Sequence, residues 1–120
     1  KLRYLLDSNI LIYYLEGQKE IGVFVDSVKS VAFVSVISVT ELLAKPKLTK
    51  EQITLIEDFL DEFTVLDVGE NIAKEAASLK RKYNLTFPDA LLAATAKTFD
   101  LSLVSKDKIF SRISELKHIN

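Results

Sequence analysis

Four acidic residues stand where their chemistry has consequences: Asp7 in LLDSNILIYYL, Glu41 in SVISVTELL, Asp89 in FPDALLAATA and Asp107 in LVSKDKIF. Asp7 poses the question most sharply, because it separates two apolar segments and an aliphatic side chain would pack better there. A carboxylate beside a core is costly unless it is paired, hydrogen-bonded or bound to a metal. Each acid has a plain alternative role as a helix cap. Asp7 can cap a helix starting near Asn9, Ser38-Val39-Thr40-Glu41 has the form of a capping box, Thr86-Phe87-Pro88-Asp89 is close to one, and Asp107 can cap KIFSRI. Four caps need not share a region of space. Four carboxylates that do share one repel each other and raise one another's pKa, and a divalent cation makes them tolerable. The chain has no cysteine and one histidine, His118, near its C-terminal end, where it reads as a surface or packing residue. Oxygen donors alone suit a hard ion, Mg²⁺ or Mn²⁺, rather than Zn²⁺.

The elements that must position these acids follow from the hydrophobic pattern. LRYLL reads as a short buried strand ending at Asp7, followed by a helix over SNILIYYLEG with Ser8 or Asn9 as its cap and Gly17 at its end. QKEIGVFVDSVKS has helical spacing, with Ile21, Phe24, Val25 and Val28 on one face. VAFVSV is a buried strand by its β-branched content. SVTELLAK begins a helix that Pro46 stops, with Glu41 in its first turn, and Thr49 caps a helix over TKEQITLIEDFLDEF with Ile53, Ile56 and Leu60 inward. TVLDV is a strand, GENIAKEAASLKRKYN a helix closed by Asn84, FPDALLAATAKTF an alanine-rich helix with Pro88 in its first turn, and LSLVS a strand. DKIFSRI is a helical turn and LKHI an edge strand. Strands alternating with helices predict an α/β fold with a parallel sheet, whose sites form beyond the carboxyl ends of the strands. All four acids fall at element junctions.

The length of 120 residues predicts one domain over residues 1–120, and 48% hydrophobic residues suffice for a core. A net charge of -1 argues against coating nucleic acid by bulk charge but leaves room for a local basic patch. Absent cysteine excludes disulfides and thiolate chemistry and fits a cytoplasmic setting; no apolar run reaches a membrane span, and the N-terminus has no signal-peptide pattern.

The four quoted motifs, in that order, resemble the PIN domain family, and most closely its small VapC-like toxin members. The resemblance covers nearly the whole chain, including VLDVGENIAKEAASLKRKYNL. It implies a metal-dependent ribonuclease whose acids correspond to Asp7, Glu41, Asp89 and Asp107, with Asn9 and Ser105 at supporting polar positions. It also implies a three-layer domain with a sheet of about five strands, ordered 3-2-1-4-5 and flanked by helices, which sets the ends of the first and fourth strands side by side. Three departures stand out. Ile109 occupies a place where many members carry a further acid, Lys106 one where arginine is frequent, and Asn84 one where glycine is frequent. The missing acid predicts one tight metal site and at most one weak one.

The expected reaction is hydrolysis of RNA phosphodiesters, with Asp7 and Asp89 as the foremost metal ligands, Asp107 next, and Glu41 as a ligand or proton acceptor. Lys45, Lys47, Lys106, Lys108 and Arg112 follow the acidic motifs and are candidates for RNA phosphate contacts, against ordinary solvated surface. Tyr13 and Tyr14 are candidates for stacking on bases, against packing. The resemblance further implies a homodimer and a VapB-like antitoxin. Alternatives are a non-toxin PIN nuclease of RNA processing, a catalytically silent binding module of the same fold, and a phosphorylated receiver domain. The receiver needs an acidic pair after its first strand, where this chain has Asp7 and Ser8; it also needs an exposed acceptor, where Asp67 is expected inside the TVLDV strand. An Asp-x-Asp phosphatase is excluded by Asn9.

Overall fold

The computed structural model describes residues 2–120. Five parallel strands form one sheet: β1 (Tyr4–Leu6), β2 (Ala32–Ser35), β3 (Thr64–Leu66), β4 (Ser102–Val104) and β5 (Lys117–Ile119), in the order β3-β2-β1-β4-β5. Six helices connect them: α1 (Ser8–Leu15), α2 (Lys19–Val28), α3 (Val36–Leu43), α4 (Lys50–Leu60), α5 (Glu70–Tyr83) and α6 (Phe87–Thr98). The strand order is the one the resemblance implies. No helix among the described residues is long and apolar enough to cross a membrane.

Strand side chains alternate between faces, and both faces of this sheet are covered. Leu5 and Leu103 point into a cluster with Ile72, Ala76 and Leu79 of α5 and Leu91 and Ala94 of α6. Leu6, Val34 and Val104 point into a second cluster with Ile10 and Leu11 of α1, Val25 of α2 and Phe59 and Leu60 of α4. This explains the near-continuous apolar character of β1 and β4. The small side chains of α6 suit burial, and Ala90 through Ala96 are buried without exception.

Local chemistry sets most boundaries. Asn84 closes α5 in the left-handed conformation, at φ 55°, which asparagine tolerates better than most residues. Thr49 caps α4 in a full capping box with Gln52. Three boundaries that bear on the candidate residues differ from expectation. α1 starts at Ser8, so Asp7 rather than Ser8 or Asn9 holds the N-cap position. β3 stops at Leu66, which leaves Asp67 exposed just beyond it. α3 starts at Val36 because the hydroxyl of Ser35 accepts from the amide of Ile37 at 3.1 Å. The Ser38–Glu41 capping box therefore does not exist. Ser38 is inside the helix with its hydroxyl buried and unpartnered, and Glu41 lies in the second turn, exposed.

Candidate active site

The site grows from the pairing of β1 with β4. Leu6 lies opposite Val104, so Asp7 and Ser105 are the first residues past two adjacent strand ends. The Asp7 amide donates to the Val104 carbonyl at 3.0 Å, continuing the ladder by one bond. The Asp7 side chain makes no capping bond to α1. Instead its Oδ2 accepts from the Ser105 hydroxyl at 2.6 Å, while Oδ1 has only a long contact of 3.4 Å from Ser8. Asp7 is thus a buried carboxylate, 7% exposed, with one oxygen fixed and the other nearly free. The capping role is set aside for Asp7.

Ser105 does more than support Asp7. Its hydroxyl also accepts from the Asp107 amide at 3.0 Å, tying both acids to one atom. Asp107 in turn caps the 3₁₀ turn Lys108–Arg112, with Oδ1 accepting from the Ile109 amide at 3.0 Å. Its capping role is present, and one carboxyl oxygen remains beyond that bond. Asn9 is exposed on the first turn of α1.

Asp89 reaches the same edge from the opposite direction. Only the short link after Thr98 separates α6 from β4, so α6 runs back against that strand and carries its N-terminus toward the strands' carboxyl ends. Thr86 caps α6 by accepting from the Asp89 amide at 3.3 Å. The reciprocal half of a capping box, the Asp89 carboxyl accepting from the Thr86 amide, is not made. Burial pushes its pKa up, and a hydrogen bond with Thr86 works against that. The charges of Asp107, Asp7 and Glu41 each push it further up. The charges that raise Asp89 thus come from the other three expected acids, Glu41 among them from α3, which packs on α6.

A raised carboxyl pKa in the fold means a penalty for ionisation that the unfolded chain does not feel. Below 3.8, the ordinary value, both states are protonated and the penalty is absent; it grows as pH rises through 3.8 and the elevated folded value and is complete above both. Asp89→Asn should accordingly raise the melting temperature of metal-free protein at pH 7, with the gain fading toward pH 3.8. Paired thermal melts across that range check it. A loss of stability at pH 7 would mean that helix-terminal charge outweighs the repulsion.

Among the described residues, no three acids or histidines already stand close enough to hold an ion together. The donor set nonetheless fits Mg²⁺ or Mn²⁺ in kind, since Mg²⁺ takes one or two carboxylates and completes its shell with water and substrate phosphate. Ile109 is partly buried and packs against the α5–α6 cluster rather than standing free in the cleft. A carboxylate introduced there would lose packing before it gained a metal.

The five basic candidates are all exposed, and among the described residues none is in an ion pair. Lys106, Lys108 and Arg112 surround Asp107 along the chain. Lys106 also lines a cavity of about 230 Å³ with Ile10, Glu20, Ile21 and Phe24. Lys47 is in the link after α3, and Lys45 lines a separate groove beside Leu15 and Leu42. Tyr14 is committed to packing: it stacks on Phe59 at 4.9 Å and donates to Asp26 at 2.7 Å. Tyr13 is half-buried against the same cluster. His118 is on the edge strand β5 and packs against Phe110, as a packing residue would, and its Nε2 also lies 2.9 Å from the Ser105 carbonyl. Nothing local to LKHIN announces that contact, which spans 13 positions.

Comparison with known families bears on this geometry directly. The PIN domain family matches residues 4–116. The chain belongs to the PIN domain family. This PIN domain is 31% identical over 129 residues to Ribonuclease VapC2 of Haemophilus influenzae, covering 99% of this chain and 98% of that protein. It is 27% identical over 134 residues to Ribonuclease VapC2 of Methanocaldococcus jannaschii, covering 94% and 90%. Among solved structures, a toxin-antitoxin complex from Klebsiella pneumoniae superposes with a TM-score of 0.86 at 25% identity, covering 98% of this chain and 96% of that one. DNA-bound VapBC from Salmonella typhimurium gives a TM-score of 0.86 at 23% identity, covering 99% and 98%.

Proposed function

We propose that this PIN domain is a VapC-type endoribonuclease that uses Mg²⁺ or Mn²⁺ and serves as the toxin of a toxin–antitoxin pair. The observation that carries the reading is the tie of Asp7 and Asp107 to the Ser105 hydroxyl at the adjacent ends of β1 and β4. Asp7 is buried with one oxygen fixed by Ser105, and Asp89 feels the charges of Asp107, Asp7 and Glu41. In this reading Asp7, Asp89 and Asp107 hold the ion, and Glu41 joins them directly, through water, or as acceptor of the attacking water's proton. The bound ion would orient and acidify water and offset charge on the phosphate. Ser105 holds one oxygen of Asp7, Asn9 on the first turn of α1 serves as a supporting polar residue, and Lys106, Lys108 and Arg112 draw the RNA backbone toward the edge.

The receiver alternative still lacks an acidic pair after β1, where Asp7 is followed by Ser8, but the second argument against it changes. Asp67 is exposed past β3, as a phosphoacceptor must be. But β3 is at the sheet's edge, with β2 between it and β1, whereas in the receiver order the third strand adjoins the first.

An antitoxin partner is supported by a groove of about 290 Å³ between α1, α3 and α4, lined by Ile12, Leu15, Leu42, Leu48, Leu55 and Ile56. Leu55 is 67% exposed there, and such a groove suits the apolar face of a helical segment. A homodimer and a cytoplasmic setting complete the reading; Phe87, 68% exposed beside alanines of α5, offers the second copy an apolar contact.

Incubation of purified protein with long mixed-sequence RNAs, followed by mapping of the new ends, tests the activity. Internal cuts at a restricted set of sites are expected with Mg²⁺ or Mn²⁺ and none with EDTA. Metal binding without any cleavage would favour the silent binding module.

A further inference from the structure

His118 is the chain's only histidine and sits on β5, the last strand of the sheet. Its ring packs at an angle of 61° against Phe110, with centroids 6.1 Å apart. An aliphatic or phenyl group would serve that contact as well. The difference is its Nε2, which lies 2.9 Å from the Ser105 carbonyl oxygen. A carbonyl can only accept, so Nε2 carries a hydrogen and donates it.

Ser105 is fully buried and every polar group it has is used. Its amide donates to the Ile119 carbonyl at 3.0 Å, its hydroxyl donates to Asp7 Oδ2 at 2.6 Å, and the same hydroxyl accepts from the Asp107 amide at 3.0 Å. The carbonyl is the remaining group, and its partner is the His118 ring rather than a backbone amide. That bond fixes the peptide plane joining Ser105 to Lys106, which is the plane that leads to Asp107. Without it, a buried carbonyl loses its partner, and rotation of that peptide would redirect the chain into Lys106 and draw the Asp107 amide off the serine hydroxyl, which then loses one of the two bonds that fix it on Asp7.

We propose that His118 is a positioning residue: by donating to the Ser105 carbonyl it holds the serine hydroxyl on Asp7 and keeps the Asp107 arm at the site. The inference rests on the metal-site reading above. Groups bonded directly to a metal ligand typically change affinity by roughly ten- to a hundredfold when removed. His118 acts one bond further out, so about a three- to tenfold loss is expected.

The test is calorimetric titration with MnCl₂ of the unaltered protein, Asp7→Asn, His118→Phe and His118→Gln, with thermal melts of each. His118→Phe should bind Mn²⁺ about three- to tenfold more weakly. His118→Gln, which retains a donor, should recover most of the affinity, whatever the two variants' melting temperatures. Nitrogen-15 spectra of the unaltered protein should show the His118 hydrogen on Nε2. Wild-type affinity in His118→Phe, equal weakening in both His118 variants, or a ring hydrogen on Nδ1 alone would overturn the proposal. If His118→Phe does not fold, His118→Gln carries the test: Mn²⁺ affinity within about threefold of wild type supports the proposal and a larger loss overturns it. Mn²⁺ binding that ignores Asp7→Asn would instead sink the metal-site reading itself.

Discussion

Asp7→Asn is expected to lower RNA cleavage by about a thousandfold, ~4 kcal/mol in transition-state stabilisation, while leaving the fold intact. The amide has nearly the same volume, and its oxygen can still accept from the Ser105 hydroxyl that now bonds Oδ2 at 2.6 Å. What changes is the other atom. Oδ1, almost free in the native protein, becomes an NH₂ that cannot bind a cation. Loss of activity with an unchanged melting temperature would therefore assign Asp7 to chemistry. Loss of both would assign it to structure. Initial rates on a mapped RNA site, measured beside a thermal melt, separate these outcomes.

Phe110→Ala should cost about 3–5 kcal/mol of stability, as deletion of a buried aromatic side chain does. Phe110 is wholly buried and is the largest fully buried side chain among the described residues. It packs with Leu103, Ala94 and Ile113 in the cluster under α5 and α6, and these are held by two helices and the sheet, so the hole would collapse little. On a chain of this size the loss corresponds to a fall on the order of 10–20 °C in melting temperature. Its position also ties stability to the site. The Phe110 amide reaches the Asp107 carbonyl at 3.4 Å, so loosening the ring loosens the turn that carries Asp107. Urea denaturation gives the magnitude. A cost below about 1 kcal/mol would mean that the 3₁₀ turn packs more loosely than its burial indicates.

Residues whose role is settled by near neighbours were legible in the chain. Thr49 with Gln52, Thr86 before Pro88, and Asn84 after α5 all act within a few positions, and their chemistry is written in their types. The strands were equally plain, because β1 and β4 are buried on both faces and so are apolar apart from Ser102. Their order came from the family resemblance, since hydrophobic pattern alone leaves the arrangement of parallel strands open. The start of α3 shows where local signals mislead. Ser35 and Ser38 both offer a cap, and only Ser38 has an acid three residues on. Burial decided the matter: Ser38 and Leu42 face the core from inside the helix. Asp7 and His118 show the same limit at longer range. Nothing in LLDSN reveals a serine hydroxyl arriving from 98 positions away, and nothing in LKHIN reveals the carbonyl that its histidine holds.

We propose that Asp7, Glu41, Asp89 and Asp107 serve one divalent ion. The most direct measurement is a crystal structure grown with Mn²⁺ and read by the anomalous scattering of the metal. One strong peak is predicted, bonded to Asp7 and Asp89, with Asp107 and Glu41 bonded directly or through water. Occupied Mn²⁺ elsewhere, with none touching Asp7, would show that these four acids do not form the metal site.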